Sequence, residues 1–298
     1  MNQQADGGSD QAHRMNALAA ASLAEARRAW PYALVLAVAL GAVIVAGANH
    51  SNATPSRDRP FGWPGPANFE NAVAMVRGDL VIAATLPALL LGATALSRRD
   101  PPGGAPARIH AIIGVDALLV VAATLVAATI GVVGTFKTPP VAFQAFVVAH
   151  ALLALSFYAL AFFCAGVFRK HAVALALALW LTFDSLYEHV AQTAVMRQVG
   201  YDQLIAGNFP SWFFVAQAFS PMSAYRGILI LWDRKFMDYV ERAALGNAAL
   251  PLWMVPSTFV VFTLAFWIVL PLALACLVRR VRARAASKSL VVRREEAA

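Results

Sequence analysis

The chain alternates between long apolar runs with almost no charge and short links that carry arginine. Three of the runs are Tyr32–Ala46, Val115–Thr135 and Phe259–Val278. Each is close to the roughly 20 residues that a helix needs to cross a hydrocarbon core. Because lipid offers the backbone no hydrogen-bonding partner, runs of this length and polarity predict membrane-spanning helices.

The pattern predicts an all-α, polytopic membrane protein with six transmembrane helices. The expected spans are Pro31–Ala48, Leu80–Leu96, Ala111–Phe136, Phe143–Phe168, Ala172–Val190 and Ser257–Val278. A long outer loop, Ala191–Pro256, then separates spans five and six. Within it, residues 213–232 are apolar enough that an interfacial helix, a re-entrant segment and a seventh span all remain open.

Three regions follow from this division. Residues 1–30 form a polar leader, in which Met1–Leu23 is expected to be disordered and the remainder to lead into the first span as an amphipathic segment. Residues 31–278 form the transmembrane domain, and residues 279–298 form a basic tail. The first span lies too far behind the polar leader to be expected as a cleaved signal peptide.

The charge distribution predicts the orientation. The formal net charge is +8, and most basic residues border spans, so nucleic-acid binding is not expected. Basic residues that flank spans favour the cytoplasmic side, so both termini and the arginine links are expected there. Arg57, Arg59 and Arg77 lie in the first outer loop, on the opposite side, and weaken this orientation argument. The basic groups are Arg27 with Arg28, then Arg98, Arg99 and Arg108, then Arg169 with Lys170, and finally Arg279, Arg280, Arg282 and Arg284.

A few polar residues fall inside the predicted spans. Asp184 and Glu188 are one helical turn apart in span five, and would share one face of a regular helix. They indicate either a polar conduit near the outer mouth or, as the preferred interpretation, the end of the span at the interface. Asp116 and His150 are isolated, which favours hydrogen bonding between helices over a ligand-binding role.

No resident cofactor, metal site or catalytic group is expected. Met196, Met222, Met237 and Met254 form no compact cluster, although thioethers suit copper(I). Cys164 and Cys276 lie in predicted spans and indicate no disulfide. The chain has no catalytic triad, no HExxH motif and no phosphate-binding GxxxxGK[ST] loop. An enzyme is therefore not expected, and an ATP-driven role would need a partner chain.

Several stretches resemble the permeases of ABC-2 type transporters. The segment from Ala154 to Trp180 resembles the family's pair of spans joined by a basic link. Phe183-Asp184 resembles an element of the copper-processing permeases that serve nitrous oxide reductase maturation. Phe219-Ser-Pro-Met-Ser-Ala-Tyr-Arg226 resembles the family's Asn-Pro-x-x-x-Tyr-Arg element, with Ser220 in place of the asparagine. The final span, ending in Leu277-Val-Arg-Arg280, and the stretch Glu25-Ala-Arg-Arg28 also fit.

The resemblance implies a permease subunit that works as a homodimer with a separate ABC-type ATPase. The loop from Arg98 to Gly114 would dock on the ATPase, through Arg98, Arg99, Pro106, Arg108 and Gly114. The loop lacks the family's acidic Glu-x-Gly-Thr stretch, and a short helix is expected only from Arg108. The implied cargo includes copper or sulfur species for metalloenzyme maturation, with an outer-face accessory protein and membrane lipid as further partners.

The outer element is expected to be a structural corner, not a set of cargo ligands. Proline favours the first turn of a helix, so a helix is expected to begin at Pro221. Tyr225 would then place its ring at the lipid boundary with its hydroxyl in water, and the Arg226 stem would cover apolar surface.

Two other functions remain open. One is a non-transporting membrane scaffold or anchor for an outer-face metalloprotein complex, which the aromatic outer loop supports equally well. The other is a membrane enzyme or redox subunit, against which the lack of paired intramembrane histidines argues.

Overall fold

A computed structural model describes residues 6–53, 77–96, 106–135, 140–200, 266–282 and 284–285, with isolated positions at 210, 212, 220–222 and 225. Almost all of these residues are helical, and no strand occurs among them. The all-α class is thus confirmed for this part of the chain. Arg98, Arg99 and Arg226 lie outside the described residues, as does most of the predicted outer loop.

The helices follow one another in a simple order. They are α1 (Asp6–Ala53), α2 (Arg77–Thr94), α3 (Pro106–Thr135) and α4 (Pro140–Phe168), followed by α5 (Ala172–Leu181), α6 (Tyr187–Val199) and α7 (residues 266–282). Both α3 and α4 begin with proline, which has no N–H to lose at the first helical position.

Three described segments are long and apolar enough to cross a membrane. They are Met15–Gly47, Ile109–Ile130 and Phe146–Leu181, and the shorter apolar helix Asp79–Thr94 accompanies them. The protein is therefore membrane-embedded. The count of six spans stays a prediction, because the described residues establish three.

The chain turns sharply between α4 and α5. Residues Arg169–His171 form a single 3₁₀ turn, and Arg169 has a φ of +40°. This left-handed conformation is uncommon outside glycine and breaks the regular helix. Helix α5 packs against α4 and α2, so the long apolar segment Phe146–Leu181 is two helices in contact.

Small residues allow the helices to approach closely. The most extensive contacts are between α1 and α3 and between α2 and α4. A Cβ added to Gly41 of α1 would lie 3.6 Å from the Ile130 Cδ1 atom of α3. At Gly92 of α2, a Cβ would lie only 2.3 Å from the Tyr158 carbonyl oxygen of α4. Such contacts are typical of membrane helices, whose association depends on packing because lipid is as apolar as the side chains.

The outward faces are apolar, as expected for contact with lipid. Leu118 of α3 is 71% exposed, and Val35 and Val38 of α1 are also exposed. Exposed apolar residues on helices that bury alanine and glycine between them identify the lipid-facing side of the bundle.

The leader differs from its prediction. Residues from Asp6 onward belong to α1, so Met1–Leu23 is not disordered over the part that the structure describes. Glu25 and Ala29, which precede the predicted span, are already buried. Alanine-rich sequence favours helix, which accounts for the helical leader although burial begins only at Glu25.

Candidate functional site

A buried histidine connects α4 to residues of the predicted outer loop. The His150 Nδ1 atom lies 2.8 Å from the carbonyl oxygen of Phe146, and the Nε2 atom lies 2.8 Å from the Tyr225 hydroxyl. Because the carbonyl can only accept, Nδ1 carries the hydrogen, and in the neutral imidazole Nε2 then accepts from the hydroxyl. This tautomer uses both nitrogens, so it offers no lone pair to a metal ion in this arrangement.

The rings around His150 are packed as well as hydrogen-bonded. Phe146 stacks on His150 with ring centroids 3.9 Å apart, and Tyr225 meets it edge-on at 5.0 Å. His150 and Tyr225 are fully buried, and Ser220 and Met222 beside them are also buried. We call this group, His150 with Phe146 and Tyr225, the outer cluster.

The predicted environment of the Tyr225 side chain was wrong. A helical segment does include Pro221 and Met222, as the proline predicted. The Tyr225 hydroxyl, however, is not in water at the lipid boundary: it is buried and donates to His150. A phenol can lie in the core when its hydroxyl finds a partner, and His150 supplies one.

A second buried pair links α3 to α4. The Tyr158 hydroxyl donates to Asp116 Oδ2 at 3.0 Å, and both residues are buried. The prediction that Asp116 and His150 make hydrogen bonds between segments is thus confirmed. Tyr158 follows His150 by eight residues, about 12 Å along α4. The two pairs are therefore separate contacts on one helix.

A third polar contact joins α2 to α5. The Trp180 Nε1 atom donates to Thr85 Oγ1 at 2.7 Å, and Thr85 donates to the Val81 carbonyl at 2.8 Å. No sequence pattern predicts this pair, because 95 residues separate its members and each is an ordinary residue for a membrane helix.

Two contacts join α1 to α2 and α2 to α4. The Tyr32 hydroxyl of α1 lies 3.3 Å from Oγ1 of Thr94, the last residue of α2. Nearby, Gly92 packs on the Tyr158 carbonyl of α4. The segment of α1 around Tyr32, the last turn of α2 and the segment of α4 around Tyr158 therefore lie together.

Arg282 attaches α7 to the same end. Its Nη1 atom donates to the Gly166 carbonyl at 2.7 Å, and its Nη2 atom donates to the Val167 carbonyl at 2.9 Å. A Cβ on Gly166 would lie 3.4 Å from the Ala275 Cβ atom, so α7 and α4 are in close contact. Helix α7 is thus attached to the end of α4 that carries the α4–α5 turn, and which face of the membrane this end occupies stays a prediction.

The predicted ATPase-docking residues are only partly described. Pro106 begins α3, and Arg108 and Gly114 lie in its first turns. The helix expected from Arg108 begins two residues earlier, at Pro106, and continues without a break through the predicted span to Thr135. Gly114 is exposed, and a Cβ there would meet no atom within 4 Å.

The helix geometry around Asp184 differs from the expected regular helix. A π turn, Thr182–Leu186, contains Asp184 and separates α5 from α6, which contains Glu188. Such wide turns are frequent at functional sites. The helical backbone continues to Val199, whereas the apolar segment ends at Leu181, three residues before Asp184. Whether Asp184 and Glu188 share one face stays a prediction.

The described residues contain no group of three or more histidine, cysteine or acidic side chains placed to hold a metal ion. The predicted residues form separate regions: Tyr225 joins the outer cluster, whereas Pro106 and Gly114 belong to the start of α3. No protein-family model matches the chain, and no curated protein is significantly similar to it.

Proposed function

We propose that this chain is the membrane subunit of an ABC-2 type transporter, which couples ATP hydrolysis by a separate ATPase to export or processing of a cargo. The resemblance of residues 150–230 to such permeases motivates the proposal. A second copy of the chain would complete the permease. Copper or sulfur species for metalloenzyme maturation are the cargo that the resemblance favours, with an outer-face protein as acceptor.

The observation that carries the proposal is the one-sided packing of the start of α3. Ile112 and Asp116 are buried against the bundle, whereas His110 and Gly114 are exposed. One face of this helix end is thus fixed and the other is open. An open helical surface next to the basic helix ends is suited to receive a second protein.

The helix contacts provide a route by which docking would act on the outer side. Helix α3 is unbroken, so a displacement of its first turns moves Asp116 directly. The Asp116–Tyr158 hydrogen bond connects α3 to α4, and α4 carries His150, which holds Tyr225. ATP-driven movement at one end would therefore reach the outer cluster through two hydrogen bonds and one rigid helix.

Arg108→Glu is expected to uncouple the ATPase from this chain. The substitution would place a carboxylate where the ATPase is expected to contact a basic side chain. Repulsion between like charges would then weaken binding of the ATPase by several kcal/mol if the contact is desolvated. Stimulation of ATP hydrolysis by the reconstituted chain should fall at least tenfold, while its amount in the membrane is unchanged.

Arg197→Glu is the matched control, because Arg197 is exposed and belongs to a different helix, α6. It should leave stimulation intact. Equal coupling in the Arg108 variant and the natural chain would contradict docking at α3. If no ATPase co-purifies with the natural chain, and an outer-face metalloprotein does, the scaffold function would replace the transporter.

The proposed topology places both termini in the cytoplasm. In a variant with Cys164→Ala and Cys276→Ala, single cysteines at Ser287→Cys and Gln203→Cys report the two sides. An impermeant maleimide on intact cells should label position 203 and leave position 287 unlabelled until the cells are opened. Labelling in the reverse pattern would invert the orientation that the arginine distribution predicts.

A further inference from the structure

We propose that the α4–α5 turn and the adjoining end of α7 form a binding site for the phosphate headgroup of an anionic phospholipid. This inference requires only that the protein is embedded in a membrane, and it holds whether or not the chain is a transporter. It rests on the placement of cations, the lack of acidic residues in both segments, and the apolar surface beside them.

The cations of two distant segments are brought together by Arg282. Its two hydrogen bonds to the Gly166 and Val167 carbonyls fix the guanidinium at the end of α4. Arg169 and Lys170 follow within three residues, so their Cα atoms lie at most about 11 Å from that of Val167. Both side chains are exposed.

Helix α7 contributes a second cation on the same face. Ala275 packs against Gly166, and Arg279 and Arg282 follow it at helical spacings of four and seven residues. These three positions therefore lie along the side of α7 that faces α4. Arg282 uses one N–H of each Nη atom in the contact with α4, and a guanidinium has five, so others are available to phosphate oxygens.

Neither segment supplies a compensating carboxylate. The sequence has no aspartate or glutamate between Asp116 and Asp184, or between Glu241 and Glu295. The positive end of the α5 helix dipole adjoins the same turn and adds to the potential. A site of this kind attracts an anion, because several cations share it and no acid in either segment neutralises them.

The surface next to these cations is apolar, which favours a lipid over a free anion. Phe168 at the end of α4 is 47% exposed, and Leu277 and Val281 of α7 are 56% and 57% exposed. Leu274, Leu277 and Val281 recur at spacings of three and four, so they form one stripe of α7. A phospholipid would place its phosphate on the cations and its acyl chains along this stripe.

The bound lipid would connect the end of α4 to the adjoining end of α7. The α4–α5 turn contains a left-handed Arg169, and the two hydrogen bonds of Arg282 attach α7 beside it. A phosphate that bridges Lys170 and Arg279 would add a second connection between α4 and α7. Anionic lipid is therefore expected to stabilise the full chain, and zwitterionic lipid is not.

The test uses the purified full chain and native mass spectrometry with dioleoyl-phosphatidylglycerol or dioleoyl-phosphatidylcholine. The natural chain should retain the first lipid and not the second. The double variant Lys170→Gln/Arg279→Gln should bind phosphatidylglycerol about 30-fold more weakly, as expected for the loss of two cations at an anionic headgroup. The conservative double variant Lys170→Arg/Arg279→Lys should bind as the natural chain does.

The control removes the same charge from the same end of the bundle. Arg27→Gln/Arg28→Gln should leave the affinity for phosphatidylglycerol within a factor of about three of the natural chain. If its affinity falls as far as that of the Lys170→Gln/Arg279→Gln variant, the lipid is attracted by the general positive charge and not by a defined site. Competition by glycerol phosphate at the concentration of the lipid would show a site for free anions and overturn the lipid assignment.

Two further outcomes also overturn the proposal. One is unchanged lipid binding in the Lys170/Arg279 glutamine variant together with loss of a co-purifying protein, which would make this surface a protein-docking site. The other is that the Lys170→Gln/Arg279→Gln variant binds phosphatidylglycerol as well as the natural chain does and shows no other change. Thermal unfolding followed by tryptophan fluorescence checks that each variant is folded. Phosphatidylglycerol should raise the melting temperature of the natural chain and not that of the Lys170→Gln/Arg279→Gln variant.

Discussion

Gly92→Ala is expected to lower the yield of folded protein sharply. The added Cβ would lie 2.3 Å from the Tyr158 carbonyl oxygen and 3.1 Å from the Phe162 amide nitrogen. Both atoms belong to the backbone of α4, so no side chain can rotate away to make room. Helices α2 and α4 would have to separate by about 1 Å, and we expect a cost of about 3 kcal/mol.

The measurement is the monodisperse fraction in size-exclusion chromatography, together with the midpoint of thermal unfolding. Gly114→Ala is the matched control, since a Cβ there meets no atom within 4 Å. Because alanine favours helix over glycine by up to about 1 kcal/mol, this variant should be neutral or slightly more stable. If the two variants behave alike, α2 and α4 are not in backbone contact.

Tyr225→Phe is expected to destabilise the outer cluster by about 1–2 kcal/mol. The substitution keeps the ring and removes the hydroxyl that donates to His150 Nε2. The imidazole nitrogen would then be buried without that donor. Hydrogen exchange in a peptide covering residues 220–225 should accelerate by roughly tenfold, because 1.4 kcal/mol corresponds to a factor of 10.

A double-mutant cycle isolates this contact. Tyr225→Phe and His150→Leu are each expected to be destabilising, and the double variant should cost less than their sum because neither partner remains. Trp212→Phe is the control: it removes the hydrogen bond from Trp212 Nε1 to Gln198 Oε1, which is 2.7 Å long but exposed. Water replaces that partner, so the cost should be near zero. Strict additivity for the first pair would contradict the His150–Tyr225 contact.

These contacts give hydrogen-bond partners to residues that the sequence suggested only as isolated polar groups. Asp116 and His150 were correctly predicted to make hydrogen bonds, because a polar group in lipid requires a partner. Their partners could not be predicted. Tyr158 is one of six tyrosines in the chain, and Tyr225 lies 75 residues after His150. Spacing along one chain does not determine which helices become neighbours.

The prediction for Tyr225 was wrong for the same reason. An aromatic residue with a hydroxyl is equally suited to the membrane interface and to a buried partner, and its own neighbours in the sequence do not distinguish these. The prediction for Asp184 and Glu188 stays a prediction, but the π turn at Thr182–Leu186, which contains Asp184, was not predicted. No residue in that turn is unusual for an α-helix.

The sequence by itself determined that lipid surrounds the apolar runs, that the fold is all-α, and where several helices begin or end. Lipid excludes unpaired backbone groups, so an apolar run of about 20 residues has to be helical wherever it lies in the fold. Proline at 106 and 140 and the basic triplet Arg169–His171 fixed local boundaries within a few residues. These are short-range effects, which act whatever the neighbouring helices are.

Only the tertiary structure decided which helices touch and where they touch most closely. The approach of α2 to α4 at Gly92, the attachment of α7 by Arg282 and the closure of the outer cluster all join residues between 66 and 116 positions apart. Apolar surface is nearly uniform on every helix, so it does not specify a partner. Partner choice comes from shape at glycine and alanine and from a few hydrogen bonds, and these exist only once the helices are packed.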